Sequence, residues 1–347
     1  MNLKTFNPIK TRIFKFLTGS FQNTKNSIGL NSDPNTSSKI LITRPNHRLG
    51  NQLLISPLLQ ELKYRFPKSK IDLVVNGNLA IVLFSEFDCV ENIYNLPKKP
   101  FNNIFSYLKK TVIMMTRKYD IAIAGNEKSN SSKIFVKLSR AKNKIYNSEA
   151  ICAHKPKHIS KIPISNLLKF MDPSWDLKNH KYAKLSINLS PNEIEQGNRT
   201  LKELFNNKKE TICLYTYATG RKCHSKEWWL SLYNKLKNEF KNHNILEILP
   251  IENVSQINFK SVHFYSKDLR EIASIIENCT MFIGADSGMM HLSASTNTNT
   301  IGLFSVTNPE IYAPYGNKNG WIDTNALKVD KIVDRIKEAI NESQTLI

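Results

Sequence analysis

Residues 281–316, MFIGADSGMMHLSASTNTNTIGLFSVTNPEIYAPYG, gather the groups in this chain whose types and spacing can do chemistry. An apolar run, Met281–Ile283, ends in Gly284-Ala285-Asp286-Ser287-Gly288, and a helix-compatible segment containing His291 begins at once. A second apolar run, Thr300–Phe304, leads into a Thr307-Asn308-Pro309 turn. The order reads as strand, glycine-rich turn, helix, strand, with a ligand edge where strands end and helices begin. Backbone N–H groups of Ser287 and Gly288 would face an anion there, and the helix dipole favours negative charge. Asp286 suits sugar hydroxyls, because an ionised carboxylate only accepts hydrogen bonds. A phosphate-binding turn beside a carboxylate implies a nucleotide-sugar pocket. The same residues also suffice for an N-cap and turn, with His291 simply packed.

Three other stretches carry convergent polar groups. Arg44-Pro45-Asn46-His47-Arg48-Leu49-Gly50-Asn51 follows an apolar run. Arg44 and Arg48 can each grip a phosphate or carboxylate by two parallel hydrogen bonds, and Gly50 permits close backbone approach. Tyr215-Thr216-Tyr217-Ala218-Thr219-Gly220-Arg221-Lys222 leaves a strand, and the Thr216 and Thr219 hydroxyls can support phosphates. Glu252, just past another strand, can accept ribose hydroxyls as acids do in dinucleotide sites. No Asp-x-Asp occurs, nor a His/Cys/carboxylate cluster at metal-ligand spacing, so no metal or other cofactor is expected.

Alternating elements must position these loops. Predicted strands are Ile40–Thr43, Ile71–Val75, Asp120–Ala124, Thr211–Tyr215, Ile245–Leu249, Met281–Gly284 and Thr300–Phe304. Predicted helices are Asn51–Phe66, Glu227–Lys241, Leu269–Asn278 and one within 325–343 that packs back across the domains. This is an α/β pattern of doubly wound parallel sheets. The pattern loosens around Leu185–Pro191, which divides the chain into a flexible basic segment 1–38, an N-terminal Rossmann-like domain 39–188 and a C-terminal one 189–347.

The net charge of +20 is uneven. Residues 39–190 carry 26 Lys/Arg against 10 acids, whereas 191–347 carry 18 of each. A basic N-terminal half suits an anionic acceptor at an anionic membrane surface. Nucleic acid is not expected as a partner, since no DNA- or RNA-binding module is recognisable. The apolar cluster Ile13–Leu17 is short and interrupted by Lys15, which argues against a secretory signal. Cys89, Cys152, Cys213, Cys223 and Cys279 show no paired spacing and read as reduced thiols. The expectation is a cytoplasmic protein, peripheral on the inner membrane.

The 281–316 string resembles the donor signature of glycosyltransferase family 9, the lipopolysaccharide heptosyltransferases: (D)(T/S)G-x-(M/S)HLAAA, then GPT-(D/N)P and PYG. The matching residues are Asp286, Ser287, Gly288, Met290, His291, Leu292, Ser293 and Ala294, then Thr307-Asn308-Pro309 and Pro314-Tyr315-Gly316. The likeness runs over roughly residues 39–320, and the opening ILITRPNHRLGNQLLISPLLQELKYRFPKSKIDLVV is similar to the family's first strand, loop and helix. It implies the GT-B fold, with two Rossmann-like domains facing a cleft. It also implies a metal-independent, inverting transfer of a heptose-like sugar from an ADP-sugar to a lipid-linked lipopolysaccharide core acceptor.

Residue by residue, the resemblance makes Asp286, Ser287, Gly288 and His291 donor-binding. Lys222 keeps the family's spacing to Trp229 and Leu232, which makes it the donor-phosphate lysine; a rival register uses Lys226 with Trp228. Lys267 falls where the family lines its base pocket. Arg44, Arg48, Gly50, Asn51 and Glu127 fall on the acceptor side. The family's usual Asp after the loop glycine, its catalytic base, is Asn51 here, and an amide has no usable basicity near neutral pH. Three readings stay open: His47 or Glu127 substitutes as base, Asn51 orients a hydroxyl that loses its proton late, or the chain binds a sugar nucleotide with weak or no turnover.

Overall fold

The computed structural model describes residues 21–25, 37–97, 104–147, 154–316 and 319–344. They divide into two compact units. The first takes the described residues of Met1–His47, Pro57–Ile81 and Phe87–Tyr182; the second takes Arg48–Ser56, Val82–Glu86 and Ala183 onward. Residues 48–56 and 82–86, on the N-terminal side of the predicted division at 188, therefore pack with the second unit.

Strands β1 (Lys39–Arg44), β2 (Lys70–Asn76), β3 (Val90–Leu96), β4 (Lys118–Ala124) and β5 (Arg140–Ile145) form the first sheet. All pairings are parallel, in the order β3-β2-β1-β4-β5. After its first residue β1 is buried throughout, as a central parallel strand covered on both faces must be. The order reverses between β1 and β4, so the loops after these strands diverge and leave a crevice.

The expected helix Asn51–Phe66 is two helices, α1 (Leu49–Leu53) and α2 (Ser56–Arg65). Pro57 has no N–H to give the carbonyl of Leu53, and its ring crowds that carbonyl. The Ser56 hydroxyl donates to the Leu53 carbonyl instead, at 2.8 Å. The chain passes from the second unit to the first at this break.

Residues 21–25 belonged to the expected flexible lead-in, yet they are built onto β5. Thr24 makes an antiparallel bridge with Lys144, and Asn23 accepts from the Tyr146 N–H and donates to the Asn147 carbonyl. Nearly all the rest of segment 1–38, like Cys152, lies outside the described residues. Cys89, Cys213, Cys223 and Cys279 are free thiols.

The second sheet comprises β6 (Thr211–Tyr215), β7 (Asn244–Ile248), β8 (Val262–Phe264), β9 (Met281–Ala285), β10 (Asn299–Phe304) and β11 (Gly320–Asp323). Its order is β11-β10-β9-β6-β7-β8, again all parallel, and the reversal lies between β6 and β9. The chain enters this unit through an irregular stretch that ends at Ser190, whose hydroxyl and the Glu193 carboxylate form a reciprocal capping box on helix Pro191–Phe205. Helix Val329–Gln344 sets Ile332, Ile336 and Ile340 among Trp229, Leu232 and Ile283 in the second core. It therefore packs into this unit, where the sequence suggested a helix lying across the domains. Among the described residues no helix is long and apolar enough to cross a membrane.

Candidate active site

The β6/β9 reversal fixes the site. Tyr215 and Gly284 are register partners at the ends of the two strands, so both following loops leave from one place. Beyond β9 comes Asp286, its N–H donating to the Leu303 carbonyl at 3.1 Å. Ser287 then caps the short helix Gly288–Ala294, its hydroxyl accepting from Met290 N. Beyond β6 the chain runs through Thr216–Thr219 into a single 3-10 turn, Gly220–Lys222. Gly220 begins that turn at φ +64°, a left-handed conformation that glycine adopts without strain.

These two loops bring Lys222 and Asp286 together. The Lys222 ammonium lies 2.6 Å from Asp286 Oδ2, and the Thr307 hydroxyl donates to the same oxygen. The Asp286 side chain is 6% exposed and that of Lys222 35%, so a buried carboxylate is matched by a cation that reaches it from solvent. A carboxylate buried so deeply without its cation would be strongly destabilising.

The rival lysine is placed elsewhere. Lys226 is exposed and opens helix Lys226–Glu239, which Ser225 caps. Trp229 and Leu232 are fully buried on the inner face of that helix, while Trp228 stacks on His224 at 4.0 Å between ring centroids. The 222/229/232 spacing thus records one lysine at the site and two core residues behind it.

Thr216, expected to support phosphate, is buried and bonded inward. Its hydroxyl donates to Glu247 Oε1 at 2.7 Å and accepts from Gln256 N at 3.2 Å. The other Glu247 oxygen accepts from the Ser255 hydroxyl at 2.7 Å. Burial pushes the Glu247 carboxyl above its ordinary value, against the lowering effect of these two hydrogen bonds. Thr219 is exposed before the 3-10 turn, and Lys267 is exposed ahead of helix Leu269–Glu277. Glu252 is exposed beside Tyr217, and its charge is the chief cause that raises the Tyr217 phenol.

Arg44 is drawn into the interior of the first unit. It is 2% exposed and donates from Nη1 to the Gly125 carbonyl at 2.5 Å, bridging the β1/β4 crevice. Glu127, beyond β4, accepts from Lys155 at 2.7 Å and from Asn166 at 3.1 Å. His47 is exposed at the end of a first-unit segment, and Arg48 is exposed at the start of α1. Gly50 and half-buried Asn51 sit on α1, inside the second unit. The Gly50 backbone does approach something closely: a Cβ there would lie 2.5 Å from Cδ2 of His291. His291 is itself buried. Among the described residues, no three His, Cys, Asp or Glu side chains are grouped to hold a metal ion.

The model of glycosyltransferase family 9 (heptosyltransferase) matches residues 114–338, well over half of the chain. The chain belongs to glycosyltransferase family 9. It is a glycosyltransferase enzyme with the GT-B fold of two parallel-sheet α/β domains. It is 26% identical over 298 residues to lipooligosaccharide heptosyltransferase 2 of Campylobacter jejuni, covering 81% of this chain and 86% of that one. A family 9 glycosyltransferase structure from Veillonella parvula superposes with a TM-score of 0.71 at 17% identity, covering 88% of this chain and 97% of that one. The ADP-heptose lps heptosyltransferase II of E. coli superposes at 0.67 with 14% identity, covering 88% and 99%.

Within the family 9 pattern, the second unit alone joins the donor string, the lysine and the helix that carries Asn51. Two contributors escaped sequence reasoning. Thr307 matched the donor signature without a role of its own, and the structure gives it one: its hydroxyl donates to Asp286. Glu247 is an acid between Leu246 and Ile248 in the strand NILEI, and that misfit in an apolar run was the available signal.

Proposed function

We propose that this enzyme transfers a heptose-like sugar from an ADP-sugar to a lipopolysaccharide core acceptor, with inversion and without a metal ion. The Lys222–Asp286 pair at the β6/β9 reversal carries the reading. The chain's likeness to the lipooligosaccharide heptosyltransferase 2 of Campylobacter jejuni and the ADP-heptose lps heptosyltransferase II of E. coli supports the choice of sugar, donor and acceptor class.

In the proposed step the acceptor hydroxyl oxygen attacks the anomeric carbon from the face opposite the diphosphate. A new C–O bond forms and the bond from that carbon to the β-phosphate oxygen breaks. The electron pair leaves with ADP, and the hydroxyl proton passes to a base or to water. Lys222 takes up the charge that grows on the leaving diphosphate, an electrostatic contribution of about 2–4 kcal/mol in comparable sites. Both bonds to Asp286 fall on Oδ2, so Oδ1 is left to accept from a sugar hydroxyl. Asn51 orients the acceptor hydroxyl, which loses its proton late. The excess of basic residues over 39–190 supports an acceptor that is anionic and held at a membrane surface.

A thermal-shift screen of ADP-, GDP- and UDP-sugars tests the donor. At 100 times its dissociation constant the true donor stabilises by about 2.7 kcal/mol. Transfer from ADP-heptose to a truncated, soluble core acceptor in the presence of EDTA then tests the chemistry. A shift with a UDP-sugar and none with ADP-heptose would sink the donor assignment, and donor binding without transfer to any acceptor would leave a binding role only.

A further inference from the structure

We propose that Glu247 is a positioning residue of the donor half: its one buried carboxylate holds the loop that carries Lys222 and the loop that carries Glu252 in a single arrangement. The proposal rests on the donor-site reading above.

Glu247 lies near the end of β7, fully buried, in a strand whose neighbours are apolar. Its two oxygens serve different loops. Oε1 takes the Thr216 hydroxyl, at the root of the 216–222 loop. Oε2 takes the Ser255 hydroxyl, inside the 250–259 loop. Ser255 Oγ also accepts from the N–H groups of Ile257 and Phe259 at 3.1 and 3.0 Å, which fills both its lone pairs. Its proton must therefore go to an acceptor, and Glu247 supplies it. Thr216 repeats the pattern by accepting from Gln256 N, so each hydroxyl relays the carboxylate to the backbone of the 250–259 loop.

That loop needs holding. Asn253, Asn258 and Phe259 all have left-handed backbones, with φ of +52°, +55° and +54°. For a bulky aromatic such as Phe259 this conformation is unfavourable and persists only where its surroundings enforce it. The Phe259 N–H is tied to Ser255, and Ser255 to Glu247. Burial raises the Glu247 carboxyl, and a protonated carboxyl could still accept on one oxygen while donating from the other.

The test combines hydrogen exchange with ADP titration of the full chain. Glu247→Ala should speed amide exchange in both 216–222 and 254–259 by at least about tenfold, the mark of lowered local opening free energy. It should also weaken ADP binding by roughly tenfold. Glu247→Gln should recover most of both, because its carbonyl can face Ser255 while its NH2 donates to Thr216. Ile340→Ala, a core truncation in helix Val329–Gln344, should lower the melting temperature yet leave ADP affinity intact.

Wild-type exchange in both loops of Glu247→Ala, or an equal loss of ADP affinity in Ile340→Ala, would overturn the proposal. If Glu247→Ala does not fold, Ser255→Ala and Thr216→Val cut the two arms separately, and each must loosen its own loop. If the wild-type chain fails to bind ADP, the donor reading falls while the exchange data still decide the role of Glu247.

Discussion

Gly50 and His291 are locked face to face: a Cβ on Gly50 would stand 2.5 Å from Cδ2 of His291, closer than real atoms approach. Beside them, a Cβ on Gly288 would stand 3.0 Å from the Cβ of Leu49. Glycine on both helices lets α1 lie directly on helix Gly288–Ala294. The donor signature and the helix that carries Asn51 are therefore one packed pair inside the second unit.

Gly50→Ala should consequently lower stability by about 1–3 kcal/mol, the usual cost of overpacking a filled site. Adding His291→Ala should return part of that loss, since residues in contact couple by about 0.5–3 kcal/mol. Calorimetry of the two single variants and the double variant reads the coupling. Strictly additive losses would mean that the contact does not limit packing.

The two lysines separate cleanly. Lys222→Ala should cut kcat/KM for transfer by about a hundredfold or more, in line with a 2–4 kcal/mol electrostatic contribution. It should also lower the melting temperature, because Asp286 stays buried without its cation. Lys226→Ala should stay within a few-fold of wild type, because Lys226 is exposed at a helix start. Asp286→Ala should abolish transfer while circular dichroism shows the fold retained. Near-normal turnover in Lys222→Ala would transfer the phosphate role to another cation.

Glu193 offers a pH test. Hydrogen bonding from the Arg270 guanidinium is the main cause that lowers its carboxyl to about 2 from the ordinary 4.5. A depressed folded value means that the stabilisation is complete above the unfolded value and is lost as pH falls towards about 2. Discounted for partial solvent screening, the contribution is about 1–2 kcal/mol. Wild type should exceed Glu193→Gln by that margin near pH 7, and the gap should shrink steadily below pH 4.5. Denaturant melts across this range check it; a gap independent of pH would refute it.

Asn51 discriminates between an orienting amide and a missing base. If the amide orients the acceptor, Asn51→Asp should lose activity, because it removes a donor and adds negative charge beside an anionic acceptor. Asn51→Ala should then be nearly as poor. A clear rise in turnover for Asn51→Asp, with acceptor affinity unchanged, would show instead that a carboxylate base is what the site lacks.

Binding to vesicles that contain anionic lipid should fall steeply with salt, because exposed charges are screened beyond about 8 Å at physiological ionic strength. Deleting residues 1–20, ahead of the segment that pairs with β5, should weaken this binding and leave transfer to a soluble acceptor largely unchanged. Salt-insensitive sedimentation with vesicles would count against the electrostatic contact.

The central strands were legible in the sequence and the edge strands were not. All seven strands read from apolar runs occur within two residues of their expected bounds. The four missed, β3, β5, β8 and β11, are the outer strands of the two sheets. A central parallel strand is covered on both faces and must be continuously apolar, whereas an edge strand is partly solvated and reads as mixed, as in RAKNKI.

The same divide runs through the site. The sequence by itself determined that Asp286, Ser287 and Gly288 follow a buried strand and open a helix, because the strand period, the turn and the cap are all local. Only tertiary structure decided which lysine meets Asp286, since both candidates lie in one short loop and helix start. It also turned Arg44 inward to Gly125, gave Thr216 to Glu247 and set Gly50 against His291. Each of those choices depends on a partner dozens to hundreds of residues away. Where a polar side chain ends up is governed by which unmet donor or acceptor the fold brings beside it, and that is a property of packing that no local spacing contains.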